Sequence, residues 1–302
     1  MIKYSAFIIT YRRPEILRKT IQALLNQTVI PSVILIVDND VDCSAEKVVS
    51  EFPGKVVEYI ATGSNMGPAG GAYFGLKTLY ERGEEWMLWV DDDDPPTSVN
   101  QIETILNIKE NYTETTNEIG VLGASGVLYD YNNSFIKRVG DQQLKGIIEV
   151  DMIAGNQFPI VHKRVIDAGV LPDPSLFFGF EDLEFGIRVK QNGFHILVDG
   201  SEVERLRTLF NRKGKVKNRG KEKKISHLWR EYYSVRTIAY IHRNNHSFFP
   251  ALKYVFRNLI KSIFSFRYGI RYGVLLSKYL AKGQIHGYSG KMGLTELPLK
   301  KY

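Results

Sequence analysis

The chain has one cysteine, Cys43, in 302 residues, so no internal disulfide can form and a disulfide-stapled small fold is excluded. That scarcity fits a reducing compartment. Long apolar runs are missing as well: no uncharged stretch approaches the ~18–20 residues that span a bilayer, which excludes a transmembrane helix. The opening apolar residues meet Arg12-Arg13-Pro14 before a signal-peptide core could end, so no cleaved targeting segment is expected. Long internal repeats and low-complexity tracts are absent. The glycine-rich stretch Gly63 to Gly71 lacks both the Gly-x-x-x-x-Gly-Lys-Ser/Thr of a P-loop and the Gly-x-Gly-x-x-Gly of a dinucleotide fold.

What is present is enough apolar content, 44%, to bury a full core in one large domain or two small ones. Acidic side chains are scarce in one part only. Residues 1–204 carry 17 basic and 30 acidic side chains, a balance of −13, whereas residues 205–302 carry 23 and 3, a balance of +20. The two parts therefore do different jobs, and the second is drawn to phosphate on a nucleic acid or a membrane surface.

The organising stretch is Trp86-Met87-Leu88-Trp89-Val90 followed by Asp91-Asp92-Asp93-Asp94-Pro95-Pro96. Five apolar residues bounded by charge and Pro-Pro predict a strand buried on both faces. Four adjacent carboxylates repel one another unless a cation neutralises them, and hard oxygen ligands suit Mg²⁺ or Mn²⁺. The plainer alternative is a solvated acidic turn. Further strands are expected over 6–10, 33–37, 56–60 and 119–124, with a helix from Pro14, another from about Ala72 to Arg82 and a third over 97–112. Strand, helix, strand of these lengths makes parallel βαβ units whose strand ends share one edge, where open α/β sheets bind ligands. The glycine stretch is either a turn before a helix or a diphosphate contact at a helix N-terminus.

Residues 125–150 show no clear period. Residues 151–161 read as a strand around Ala154-Gly155, with glycine allowing close approach of another chain or a ligand. A short helix is expected over 165–168, ended by Gly169. In Phe177 to Arg188, the carboxylates Glu181, Asp182 and Glu184 stand among aromatic and aliphatic neighbours, which invites a raised pKa suited to general-base work. Alternatively, Glu181 and Asp182 are first-turn residues favoured by the dipole of a helix over 182–192. Residues 205–228 are expected to form a flexible basic loop, and 229–302 a helical region. There Leu252, Val255, Phe256, Leu259 and Ile263 share one helical face, with Lys253, Arg257 and Lys261 on another. This pattern reads as an interfacial membrane anchor or as a helix packed on the catalytic domain.

Taken together, Ile9-Thr10-Tyr11-Arg12-Arg13-Pro14, Val37-Asp38-Asn39, Asn65 to Gly71, Trp86 to Asp93, Phe177 to Arg188, Trp229 to Arg236 and Gly283 to Gly293 occur in an order that resembles the family-two inverting glycosyltransferases. The similarity lies with the branch holding rhamnosyltransferases and galactofuranosyltransferases. The resemblance implies a GT-A fold, a Rossmann-like mixed sheet flanked by helices, over 1–204. It implies that Thr10, Tyr11, Arg13 and Asp38 hold the nucleoside, and that Asn65, Gly70 and Gly71 approach the diphosphate. Asp93 and Asp91 would bind Mn²⁺ or Mg²⁺, with Asp91 and Asp92 nearer the donor, and Asp182, with Glu181 beside it, would be the general base. Where family members carry a metal-binding histidine, this chain has Arg205, so either His227 supplies that ligand or the basic side chain itself faces the diphosphate. The implied partners are a UDP- or dTDP-linked sugar, a glycan or lipid-linked acceptor and an anionic membrane surface, with no nucleic acid. The implied location is cytoplasmic, on the inner face of the membrane. A sugar-phosphate nucleotidyltransferase and a basic nucleic-acid-binding protein are the competing readings; the first leaves Asp182 without a task and the second lacks a recognised motif.

Overall fold

The computed structural model describes residues 2–54, 56–113, 118–214 and 223–297. In chain order the first part comprises β1 (Ser5–Thr10), α1 (Pro14–Leu25), β2 (Ile34–Asp38), α2 (Glu46–Ser50), β3 (Val57–Ala61), α3 (Gly67–Glu81), β4 (Trp86–Asp91) and α4 (Gln101–Asn111). Then come β5 (Ile119–Gly123), β6 (Val127–Asp130), β7 (Phe135–Arg138), β8 (Ile147–Glu149), β9 (Ile160–His162), α5 (Lys163–Asp167), α6 (Glu181–Gln191), β10 (His195–Asp199) and α7 (Gly200–Leu209). Three helices close the chain: α8 (Trp229–Asn244), α9 (Phe248–Ser265) and α10 (Ile270–Ser289).

Eight strands form one mixed sheet in the order β3-β2-β1-β4-β9-β5-β10-β8, with β6 and β7 as a separate hairpin. β1 pairs in parallel with both β2 and β4, in a register that sets Thr10 beside Asp38 and Ile9 beside Asp91. The carboxyl ends of the three strands therefore meet at one edge, as the βαβ pattern predicts. Alternation sorts the apolar residues between two cores. Ala6, Ile8, Ile34, Ile36, Leu88 and Val90 face α1 and α4. Phe7, Ile9, Leu35, Val37, Met87 and Trp89 face α3, α5 and α6.

Several boundaries differ from the sequence reading. α3 begins at Gly67 rather than near Ala72, because the glycines that look like a loop are needed inside the helix. A Cβ on Gly71 would lie 2.6 Å from Ile9 Cγ2, and one on Gly75 2.3 Å from Phe7. Residues 151–161 are not one strand. A 3₁₀ turn at Gly155–Gln157 and a left-handed Phe158 break the run, leaving only β9. The unpatterned 125–150 holds β6, β7 and β8, strands of three or four half-exposed residues specified by their partners rather than by a local hydrophobic period. The break expected at 204/205 falls inside α7, which runs on to Leu209 because Leu206 and Arg207 are buried. Of the basic loop expected over 205–228, residues 215–222 lie outside the described residues, and 225–227 form a 3₁₀ turn.

The closing helices build a third core with Phe177, Leu183 and Ile187. α8 and α10 touch main chain to main chain: a Cβ on Gly283 would sit 2.6 Å from the Tyr232 carbonyl oxygen, and one on Gly287 2.3 Å from that of Arg236.

Candidate active site

β4 delivers Asp91 to the carboxyl edge of the sheet, and the next residues turn back over the ends of β1 and α1. Asp92 is wholly buried (0% exposed). Its Oδ2 accepts from Thr10 Oγ1 at 2.7 Å, its Oδ1 lies 2.7 Å from Arg13 Nη2, and its carbonyl accepts from Thr20 Oγ1 at 2.6 Å. Burial raises the Asp92 carboxyl to about 6, against the lowering pull of Thr10 and Arg13. Arg13 also pairs with Asp93, which is exposed. Asp92 is thus a structural anchor for Thr10 and Arg13.

Asp91 is different. Burial, followed by the charges of Asp93, Asp92, Asp94 and Asp182, raises its carboxyl to about 7. Gly155 lies against it: a Cβ there would stand 2.9 Å from both Asp91 Oδ1 and Trp89 Nε1. The glycine at the strand-like stretch therefore admits this chain's own acidic edge. Burial and then the Asp93 charge raise the Asp94 carboxyl against the lowering pull of Asn156, so the 155–157 turn lies near the aspartates.

The second acidic group stands at the start of α6. Phe177, Gly179 and Phe180 have φ values of 61°, 80° and 65°, a left-handed run that costs of order 1–3 kcal/mol for each non-glycine residue. Packing holds it in place: the Phe177 ring lies 5.4 Å from Tyr233 and Phe178 5.1 Å from Trp229. Buried Arg236 donates to the Leu176 carbonyl. From the other side, the Ala69 amide donates to the Phe177 carbonyl at 3.3 Å, and a Cβ on Gly67 would fall 2.1 Å from that oxygen. The turn presents Glu181 and Asp182 at a helix N-terminus. Burial and then the Asp182 charge push Glu181 upward, and its Oε2 is buried without a hydrogen-bond partner. Burial raises Asp182 too, opposed by the Leu183 amide, which donates to Oδ1 at 2.8 Å. Asp91 is among the charges that raise Glu181, and Asp182 among those that raise Asp91, so the two clusters face each other electrostatically.

Other expected residues take different places. Asp38 is fully buried: Oδ1 accepts from the Asp40 amide at 2.9 Å, and Oδ2 from the Ala45 amide at 3.0 Å and Tyr59 Oη at 3.3 Å. These bonds shape the 38–45 loop. Tyr11 is exposed, with Arg12 5.2 Å over its ring. Asn65 turns its Oδ1 back to the Gly67 amide at 3.0 Å. Gly70 and Gly71 are buried within α3 against Met66 and Ile9, so they serve helix packing rather than diphosphate contact. Arg205 pairs with Glu202 at 2.6 Å and donates to Thr97 Oγ1 at 2.8 Å, which commits it to α7. His227 is exposed on the 225–227 turn. Among the described residues no three His, Cys, Asp or Glu side chains converge as a metal centre. Sequence reasoning missed Thr20, Gly67 and Asn156, whose roles depend on contacts between distant elements.

A large mixed sheet flanked by helices is a GT-A-like architecture. Residues 5–114 match Glycosyl transferase family 2. The match holds β1 to α4, with Thr10, Arg13 and the aspartates, and stops short of Glu181 and Asp182. Galactofuranosyltransferase GlfT1 from Mycobacterium tuberculosis is 31% identical over 110 residues, covering 36% of this chain and 36% of that protein. GlfT1 from Mycolicibacterium smegmatis is 29% identical over 108 residues, covering 36% and 35%. The chain thus matches about a third of the length of these relatives. GalNAc-T7, solved with UDP, GalNAc and Mn²⁺, superposes with a TM-score of 0.51 at 13% identity over 66% of this chain and 43% of its own, a likeness of fold.

Proposed function

We propose that the protein is an inverting, metal-dependent glycosyltransferase that moves a hexose from a nucleoside-diphosphate sugar to a hydroxyl of a cell-surface or lipid-linked glycan. The observation that carries this reading is the electrostatic facing of Asp91 and the Glu181–Asp182 pair, delivered by a strand end and a helix start far apart in sequence. A UDP- or dTDP-linked galactofuranose or rhamnose is the favoured donor by the family resemblance, and the 110-residue likeness to GlfT1, a galactofuranosyltransferase by name, supports galactofuranose. Such an acceptor would place the enzyme at the cytoplasmic, inner face of a membrane.

The donor set fits a hard divalent cation: Asp91 is crowded by like charges that a cation would relieve, and Asp93 beside it is exposed. Asp91 and Asp93 would hold Mn²⁺ or Mg²⁺, which when bound offsets charge developing on the leaving diphosphate. Asp93 would exchange its pairing with Arg13 for that role. Asp182 takes the proton of the acceptor hydroxyl as that oxygen bonds to the anomeric carbon and the bond to the diphosphate oxygen breaks. One displacement inverts the centre. Glu181, its proton held by burial, shields Asp182 from a second full negative charge. Tyr11, exposed beside Thr10 and Arg13, which Asp92 fixes, would meet the nucleoside.

A donor panel tests the reading: thermal stabilisation with Mn²⁺ plus UDP or dTDP, followed by release of nucleoside diphosphate from the preferred sugar nucleotide in the presence of glycan acceptors. Release dependent on acceptor and cation supports it. Pyrophosphate release from a nucleoside triphosphate and a sugar phosphate, with no sugar transfer, would overturn it.

A further inference from the structure

The outward side of α9 is apolar. Phe248, Phe249, Leu252, Phe256 and Ile263 are all more than half exposed, and Ile270 at the start of α10 is 78% exposed. The helix is held to the protein by a narrow polar side instead. Tyr254, Asn258 and Ser265 are buried there, Lys261 pairs with Glu231 at 2.6 Å, and Arg257 donates to the Asn133 and Ser134 carbonyls at 2.6 and 2.7 Å. Two basic residues that the helical wheel assigns to a free cationic face, though still exposed, are therefore engaged in contacts within the fold. At 18 residues the helix is about 27 Å long, so its outer side is a sizeable apolar strip.

We infer that this strip is an interfacial membrane-docking surface, which enters the headgroup–acyl boundary of an anionic leaflet with α9 lying in the plane of the membrane. Charge selects the occupant. From residue 232 to residue 295 there are ten Lys or Arg and no Asp or Glu. Lys253, Arg267, Arg271 and Lys278 are exposed beside the strip, where they would meet lipid phosphates. A second copy of the chain would bring two such positive surfaces together. Among the described residues no helix is long and apolar enough to cross a bilayer, so the strip lies on the membrane rather than spanning it. The surface also has a direction. α9 packs on α8 and α10, and α8 carries the Trp229 and Tyr233 that support the turn before Asp182, so docking would bring that side of the site towards a lipid-borne acceptor.

This inference rests on the membrane part of the proposed function, yet vesicle binding is measured without substrate. The full chain is floated with phosphatidylcholine vesicles and with vesicles that also contain phosphatidylglycerol, at low and high salt. The wild type is expected to float with the phosphatidylglycerol vesicles, and the Phe256→Asp/Ile263→Asp variant to lose at least about tenfold in binding while keeping its melting temperature. Residual binding at high salt that the double variant lacks would mark the apolar contribution. A wild type that stays unbound at low salt, or a double variant that floats equally well, overturns the inference. So does a wild-type dimer in sedimentation equilibrium that the double variant converts to monomer, since the strip would then be a self-interface. Normal flotation without transfer to any soluble acceptor would instead count against the glycosyltransferase reading alone.

Discussion

Arg236 holds Leu176 by a hydrogen bond of 2.6 Å from its guanidinium to the carbonyl oxygen, one residue before the left-handed turn that leads to Asp182. The same side chain donates to the Gly293 carbonyl at 2.7 Å and lies 4.7 Å from the Tyr233 ring centroid. Arg236→Met should remove the guanidinium's hydrogen bonds to the Leu176 and Gly293 carbonyls, of which Leu176 keeps the Phe178 amide at 2.7 Å, at a total of roughly 1–3 kcal/mol measurable by chemical denaturation. Because Leu176 anchors the turn, kcat should fall as well with donor affinity kept, and Arg236→Lys should recover part of both. A loss of stability with unchanged kcat would show that Arg236 supports the fold only.

Asp182→Asn should lower kcat by orders of magnitude while leaving nucleotide binding intact, since it removes the proton acceptor and little else. Burial raises the Asp182 carboxyl, so wild-type kcat/KM should rise with pH through a value above the ordinary carboxylate range of about 4. A wild-type rate in the variant would move the base assignment elsewhere.

Glu181 gives a stability test with a definite sign. Its folded carboxyl holds its proton above the unfolded value, so the folded state binds more protons than the unfolded one over that interval. The stabilisation is complete below about pH 4 and is lost as pH rises through the folded value. Melting temperature followed upward from that range should carry this loss, and Glu181→Gln should reduce the slope. A variant as steep as the wild type would show that Glu181 is ionised in the native protein.

Asp93→Ala should weaken stabilisation by Mn²⁺ and by Mn²⁺ with nucleoside diphosphate, read by thermal shift, with little effect on stability without the cation. The exposed Asp93 pairs only with Arg13 among the described contacts, and such surface pairs contribute about 0–1 kcal/mol. Equal Mn²⁺ responses in variant and wild type would remove Asp93 from the metal site.

Gly71→Ala decides between the two readings of the glycine stretch. Alanine ordinarily favours a helix interior by about 0.5–1 kcal/mol over glycine. Here its Cβ would press on Ile9 at 2.6 Å, and overpacking of about 1–3 kcal/mol should reverse the sign. A drop in melting temperature with nucleotide affinity unchanged is expected.

These residues show what the sequence made legible. The apolar runs 33–37 and 86–90 are buried on both faces, and such runs specify strands without help, so their carboxyl ends and the aspartates that follow fall where the pattern puts them. The acidic start of α6 was legible for a similar local reason. Gly70 and Gly71 read as loop because glycine signals a loop through its own conformational freedom, whereas here Gly71 is required by the closeness of Ile9 on β1 and Gly70 by that of Met66. Asp38 looked available because its neighbours in sequence do not reveal that Tyr59 and the Ala45 amide occupy its oxygens. The apolar periodicity of α9 was plain, but which side faced the protein depended on Glu231 and on the carbonyls of the 133–134 turn.

Gly283 and Gly287 interlock two helices at the level of their carbonyls, so neither can slide by a residue without driving a side chain into a main-chain oxygen. The wall behind Phe177 to Phe180 must then travel as one piece.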